Sequence, residues 1–328
     1  MTSALNRRSF LQQSSGLLAG AAAAAAWGRD TRAAGTGGSL TLACGDATLR
    51  HVQETDCWAA LKAIGAQGVE ATISEDLAFP RLFHPARKYS AATPKDLAAL
   101  KADMQAAGCR ITAFTMHNQF DVRPEQEIEW IAKAARAAQA LGVPAIRIDV
   151  VARKSDAATF LRSSIETLKK VLAASEPTGL VFGVENHGKT TNDPEFLEAL
   201  FAGVGSDRLG LTLDTGNFYW FGHPLSKVYS LYAKFAARVF HTHCKSIKYP
   251  ADQRETQRPM GWKYGEYNCP IDQGDIDFRR VVKLLLDAGY KNDLCIEDES
   301  LGKQPEAERA AALAREIRYL RECLAASE

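Results

Sequence analysis

From Ser39 onward the chain alternates between two textures. Short runs of β-branched and apolar residues are followed by longer stretches in which Ala and Leu recur among Lys and Glu at helical spacing. The short runs predict strands at 39–44 (SLTLAC), 68–74 (GVEATIS), 110–116 (RITAFTM), 145–151 (AIRIDVV), 180–186 (LVFGVEN), 209–215 (LGLTLDT), 239–245 (VFHTHCK) and 293–299 (DLCIEDE). Between them, stretches such as DCWAALKAIGA, QEIEWIAKAARAAQALG and DFRRVVKLLLDAG predict amphipathic helices, and a last helix is expected from about Pro305 to Ala325. Gly108, Gly142, Gly179 and Gly289 stand where a helix stops before the next strand, the position at which glycine accepts a left-handed backbone. Eight strands alternating with eight helices is the count of a single (β/α)8 TIM barrel. The rival, a doubly wound open sheet, would carry a glycine-rich phosphate loop after its first strand, and ACGDATLR is not one.

Two connections exceed what a barrel needs. One, 75–93, follows the second strand; the other, 246–277, follows the seventh and carries Trp262, Lys263, Tyr264 and Tyr267. Loops after strands gather at the C-terminal face of a barrel, where such enzymes do their chemistry, so both are expected to wall or cover a site. The polar residues that end the strands converge on the same face. Strand five ends in Glu185, Asn186 and His187; strand six brings Asp214 and Asn217; strand seven, His241, His243 and Lys245; strand eight, Glu297, Asp298 and Glu299. Alternation along a strand puts His241, His243 and Lys245 on one face, Glu185 with His187, and Cys295 with Glu297 and Glu299. Two Glu, one Asp and at least one His at the ends of four consecutive strands offer oxygen and imidazole ligands suited to Mn²⁺, Mg²⁺, Co²⁺ or Zn²⁺.

Composition adds bounds. Of 328 residues 46% are hydrophobic and the formal net charge is +1, dispersed along the chain, so no nucleic-acid footprint is present. Residues 1–34 read as a targeting segment: Arg7 and Arg8 precede an alanine-dominated apolar stretch from Leu17 to Trp27, as in a twin-arginine export signal. That stretch is short and weakly apolar for a membrane span. The expectation is an exported, periplasmic protein whose barrel domain occupies 35–328, with no stable membrane insertion after cleavage and a homo-oligomer left open. The seven cysteines show no CxxC pair or zinc-finger spacing; they read as small core residues, with a single disulfide pair left open.

The motifs VENHG, LDTGN, HTHCKS and PIDQGDIDF…GYKNDLCIEDE, in this order, resemble the xylose isomerase-like (β/α)8 superfamily of sugar isomerases, 3-epimerases, inosose dehydratases and one class of endonuclease. The resemblance spans the chain after the leader and is strongest over 180–300. It implies one divalent metal, manganese first, held by Glu185, Asp214, His243 and Glu297. His243 is taken over His241 because the family ligand stands two residues before the Lys of an H-x-K motif. Glu185 and Glu297 would also serve as the acid/base pair, Glu185 removing a proton beside a carbonyl from one face and Glu297 returning one from the other. The chain departs from the family pattern at Asn217, often His in the epimerases, and at Ser246, where the motif usually ends in Asp. The implied function is a metal-dependent isomerase or epimerase acting on a non-phosphorylated sugar or keto-sugar through an enediolate. The alternatives are a keto-sugar dehydratase or keto-glycoside lyase on the same site, or an exported sugar-binding protein without catalysis. A nuclease is disfavoured, because the endonuclease branch needs further His ligands and this chain has only seven His. Substrate contacts are expected from His187, His117, Lys245, Asn217, His241 and Trp262. Trp262 and Tyr264 would stack on a sugar face or else pin their loop; Arg147 and Asp149 are expected to form a buried pair, and Glu70 either reaches the pocket or serves the core.

Overall fold

The computed structural model describes residues 40–327. The export leader expected at 1–34, and the start of the barrel domain at 35, lie outside the described residues. Eight parallel strands form the sheet: β1 (Thr41–Gly45), β2 (Gly68–Thr72), β3 (Arg110–Met116), β4 (Ala145–Ile148), β5 (Val181–Glu185), β6 (Leu209–Asp214), β7 (Val239–His243) and β8 (Asp293–Ile296). Each pairs with its neighbour in chain order, and β8 returns to β1 with Thr41 opposite Asp293. The ring closes between β7 and β8 through Cys244, whose N–H donates to the Cys295 carbonyl (2.7 Å) and whose carbonyl accepts from Glu297 N–H (3.2 Å). The barrel expected from the pattern is therefore the fold.

Among the described residues, eight helices of eight or more residues surround it, from Cys57–Ile64 through Arg309–Ala325. Their starts are set locally. Asp56, Thr93, Asp156, Asp193 and Asp277 each accept a hydrogen bond from the first turn of the helix that follows, and Pro94, Pro124 and Pro194 occupy first-turn positions where no N–H is needed. The helices over 94–107 and 124–141 end in Gly108 and Gly142 at φ +65° and +73°, as the sequence pattern anticipates. The last helix begins at Arg309, four residues later than expected, because Glu306–Glu308 forms a separate 3₁₀ turn after Pro305. Apolar residues that alternate outward on the strands, such as Phe114, Ile146, Phe182 and Val184, are fully buried beneath the helices. All seven cysteines are free thiols, so the disulfide left open by the sequence does not form. No described helix is long and apolar enough to cross a membrane.

Both long connections are ordered by their own side chains. In the first, Phe79 and Tyr89 are buried and the Trp58 indole donates to the Tyr89 hydroxyl at 2.8 Å. In the second, Ser246–Ile247 pairs antiparallel with Asn268–Cys269, and Trp262 stacks on Tyr267 with ring centroids 5.6 Å apart and meets the tilted Tyr249 ring at 5.7 Å. Trp262 is thus engaged inside its loop by Tyr267, Tyr249 and the Lys263 ammonium at 5.4 Å, and it stays half-buried.

Candidate active site

The barrel interior is charged. Inward positions on β2, β4, β5, β7 and β8 carry Glu70, Arg147, Glu185, His241, His243 and Asp293, all buried. Burying so many charges requires that each find a partner, and the partners define the site.

Glu185, Asp214, His243 and Glu297 converge. One ligand-type atom from each lies within 4.8 Å of the others. Asp214 is fixed by the turn after β6, where its Oδ1 accepts from the N–H groups of Gly216 (2.7 Å) and Asn217 (2.9 Å). Its Oδ2 is buried without a hydrogen-bond partner, as is Oε2 of Glu297. His243 has Nδ1 3.2 Å from Glu185 Oε1 and 3.4 Å from Glu297 Oε2. Its Nε2 stands 2.9 Å from Glu70 Oε1. Glu70 therefore does not reach the pocket as a ligand; it orients the imidazole from behind, as a second carboxylate commonly orients a metal-binding His.

Below His243, His241 is fully buried, with Nδ1 3.0 Å from Asp293 Oδ1 and Nε2 3.3 Å from Glu70 Oε1. Asp293 in turn accepts from the Tyr290 hydroxyl at 2.8 Å. An imidazole with no exposed surface touches no substrate, so His241 leaves the list of expected contacts and joins the support beneath the site.

Arg147 supplies the main counter-charge on the other side. Its guanidinium pairs directly with Glu185 Oε2 and donates to the Met116 carbonyl at 2.9 Å, whereas Asp149 is 3.9 Å away. The Arg147–Asp149 pair expected from sequence is thus secondary: Arg147 belongs to Glu185, and Asp149 holds His187 Nδ1 at 2.9 Å. Burial alone would raise the Glu185 carboxyl, but Arg147 and then His243 overcome it and hold it well below the usual carboxylate range. His187 is shifted upward, chiefly by its hydrogen bond to Asp149.

The remaining expected contacts divide. His187 is exposed at the mouth, and His117, just past the end of β3, is exposed too. Asn217 is buried and donates to Glu185 Oε1 at 3.3 Å, so it positions a carboxylate. Lys245 is buried, with its ammonium 3.0 Å from Asp214 Oδ2, 2.8 Å from Glu297 Oε2 and 3.0 Å from Glu299 Oε1. Only the contact to Glu299 is aligned as a hydrogen bond; those to Asp214 and Glu297 are ion pairs out of line.

These donors fit a divalent cation. Setting His243 and Glu70 against one another, four carboxylates (Glu185, Asp214, Glu297, Glu299) meet two cations (Arg147, Lys245), which leaves two negative charges unmatched. Burial, opposed by Lys245 but reinforced by Glu297 and Glu185, pushes the Asp214 carboxyl up to about 7. Like charges that converge with too little compensation behave this way. Oxygen and nitrogen donors, with two carboxylate oxygens that make no hydrogen bond, suit Mn²⁺, Mg²⁺, Co²⁺ or Zn²⁺ alike.

Sequence reasoning missed three supports: Glu70 behind His243, Arg147 on Glu185, and Asp293 beneath His241. For Asp293 a signal existed, since it shares inward parity with Cys295 and Glu297.

Comparison with known proteins bears on this geometry. The profile of the xylose isomerase-like TIM barrel family matches residues 58–323. Inosose dehydratase of Klebsiella pneumoniae subsp. pneumoniae is 31% identical over 103 residues, 30% of this chain and 34% of the relative. Inosose dehydratase of Erwinia tasmaniensis is 27% identical over 165 residues, 49% of this chain and 54% of the relative. The chain thus spans about a third to a half of the length of these curated relatives. The crystal structure of a xylose isomerase-like TIM barrel protein from Mycobacterium smegmatis in complex with magnesium superposes with a TM-score of 0.64 at 16% identity, covering 88% of this chain and 97% of that one. At that identity the likeness is one of fold.

Proposed function

We propose, on the premise that this chain belongs to the xylose isomerase-like TIM barrel family, that it is a divalent-metal-dependent enzyme acting on a keto-sugar. It removes the proton beside the carbonyl and expels the neighbouring β-hydroxyl as water. One observation carries the reading: Glu185 and Glu297, from strands separated by two others, bring carboxylates to the same point as Asp214 and His243. The preference for elimination is supported by the activity named for the curated relatives, over the segments they share with this chain.

Glu185, Asp214, His243 and Glu297 would hold the ion, which when bound supplies Lewis-acid polarisation of the carbonyl and so acidifies the adjacent C–H. The chain's own residues supply the rest. Glu185 has both oxygens engaged, Oε2 by Arg147 and Oε1 by His243 and Asn217, so it acts chiefly as an anchor. Glu297 is the more accessible carboxylate, with its side chain 27% exposed, and is the one placed to accept the substrate proton. His187, exposed at the mouth and steadied by Asp149 through Nδ1, would give the departing hydroxyl the proton with which it leaves as water. Arg147 and Lys245 keep positive charge beside the carbon that becomes anionic. A substrate without phosphate agrees with the exported location proposed from the leader.

The second reading is epimerisation or isomerisation. It shares the first step, and the observation that favours it is the convergence of a second carboxylate, Glu185, on the same point as Glu297. The test is incubation of the metal-loaded chain with a panel of keto-sugars and keto-inositols in D2O, followed by NMR and mass spectrometry. Deuterium exchange beside the carbonyl with a product lighter by one water is the expected result. Exchange with inversion or carbonyl migration and no water loss selects the second reading. A metal-loaded chain that exchanges no proton in any substrate it binds contradicts both.

A further inference from the structure

We infer that the Lys245 ammonium and the divalent metal contend for the same two carboxylate oxygens, so that this lysine sets metal affinity from inside the site, with Glu299 as its alternative partner. The inference rests on the metal reading above.

The oxygens can be identified one by one. Asp214 Oδ1 is committed to the N–H groups of Gly216 and Asn217, so Oδ2 is the oxygen left for a cation. Glu297 Oε2 is the buried oxygen without a hydrogen bond, and it is the one facing His243 Nδ1 at 3.4 Å. Lys245 Nζ sits 3.0 Å from the first and 2.8 Å from the second. A monovalent and a divalent charge sharing two oxygens repel one another strongly in a poorly hydrated site.

The lysine has little freedom to withdraw. Its backbone N–H is tied to Thr215 Oγ1 at 2.9 Å, and its stem lies so close over Gly216 that a Cβ there would fall 2.9 Å from Lys245 Cγ. What remains is a pivot of the ammonium toward Glu299, with which it already makes its one aligned hydrogen bond. Glu299 is not one of the four convergent ligands. It is held by the long loop after β7: the Tyr264 hydroxyl donates to its Oε2 at 2.6 Å, and Asn268 Nδ2 donates to its carbonyl at 3.3 Å. Loop seating, Glu299 and the lysine therefore form one connected device whose setting decides how much of Asp214 and Glu297 is available to a metal.

Two substitutions with opposite signs follow. Lys245→Met removes the competing charge and leaves two carboxylates in need of a cation, so Mn²⁺ binds more tightly. Glu299→Gln removes the alternative partner and leaves the ammonium leaning on Asp214 and Glu297, so Mn²⁺ binds less tightly. Were the lysine only orienting the carboxylates for the metal, Lys245→Met would weaken binding instead.

The experiment is calorimetric titration of the full chain, stripped with a chelator, with Mn²⁺ alone. The expected result is a Kd at least about tenfold lower for Lys245→Met and about tenfold higher for Glu299→Gln, as expected for charge changes within one ion-pair distance of the ligands. A Lys245→Met protein that binds Mn²⁺ no more tightly than the wild type overturns the inference. If Lys245→Met does not fold, Glu299→Gln and Tyr264→Phe carry the test, and wild-type affinity in both overturns it. A folded wild type that binds no Mn²⁺ removes the metal reading and this inference together; a wild type that binds, beside an unchanged Lys245→Met, removes this inference alone.

Discussion

Replacing Arg147 by Met should destabilise the chain by about 3–5 kcal/mol, the scale on which removal of one partner of a buried ion pair costs stability. Arg147 and Glu185 are both buried, their side chains 5% and 3% exposed, and they pair directly across β4 and β5. Loss of the guanidinium strands the Glu185 carboxylate, leaves Asp149 with His187 and Arg153, and leaves the Met116 carbonyl without its donor. Denaturant unfolding measures the change. Arg147→Lys keeps the charge without the two-pronged geometry and should fall between the two. The double variant Arg147→Met, Glu185→Gln should recover part of the loss, because the stranded charge is gone. A single variant as stable as the wild type would show that Glu185 is compensated elsewhere and would remove Arg147 from the account.

The second large effect is expected at Glu297. Glu297→Gln keeps the shape of the side chain and should leave the fold intact, since this carboxylate is partly exposed and lies at the end of β8. It loses the oxygen that takes the substrate proton, so turnover should fall by about 10²–10⁴-fold, the usual contribution of a positioned acid or base. The rate of solvent-deuterium exchange into the substrate should fall with it. Activity within tenfold of the wild type would move the proton transfer to another residue, Glu185 being the next.

The strands, the helices and the mouth of the barrel were legible because they rest on local signals: period-two and helical patterning, caps at Asp56 and Thr93, glycines at Gly108 and Gly142. Parity along each strand was enough to bring Glu185, Asp214, His243 and Glu297 together once the strand order followed the chain order. What parity cannot supply is register between strands and distance across the barrel. Arg147 stands opposite Gly183, which has no side chain, and so reaches past it to Glu185; from sequence alone the nearer Asp149 is the natural partner. A Cβ on Gly183 would fall 2.4 Å from Thr212 Oγ1, so the glycine is fixed by the packing of β6 against β5, a contact no local pattern announces. Glu70 meets His243 across the barrel interior, and that approach exists only after β8 closes on β1. A His on a strand and a Trp in a loop, such as His241 and Trp262, each have two uses, packing and substrate contact, and the sequence does not choose between them. Asp293 fixes the first in the interior, and Tyr267 with Tyr249 occupies the second.

The central claim is that the four convergent side chains hold one divalent cation that the chemistry requires. Elemental mass spectrometry of the purified chain, beside His243→Ala and Asp214→Asn, tests it most directly. About one Mn, Co, Zn or Mg per folded wild-type chain is expected, with most of it lost in both variants because each removes one ligand from a site of four. A folded wild type that takes up no divalent metal even when supplied with it would overturn the metal site, and the excess carboxylate charge would then have to be carried as bound protons, Asp214 first.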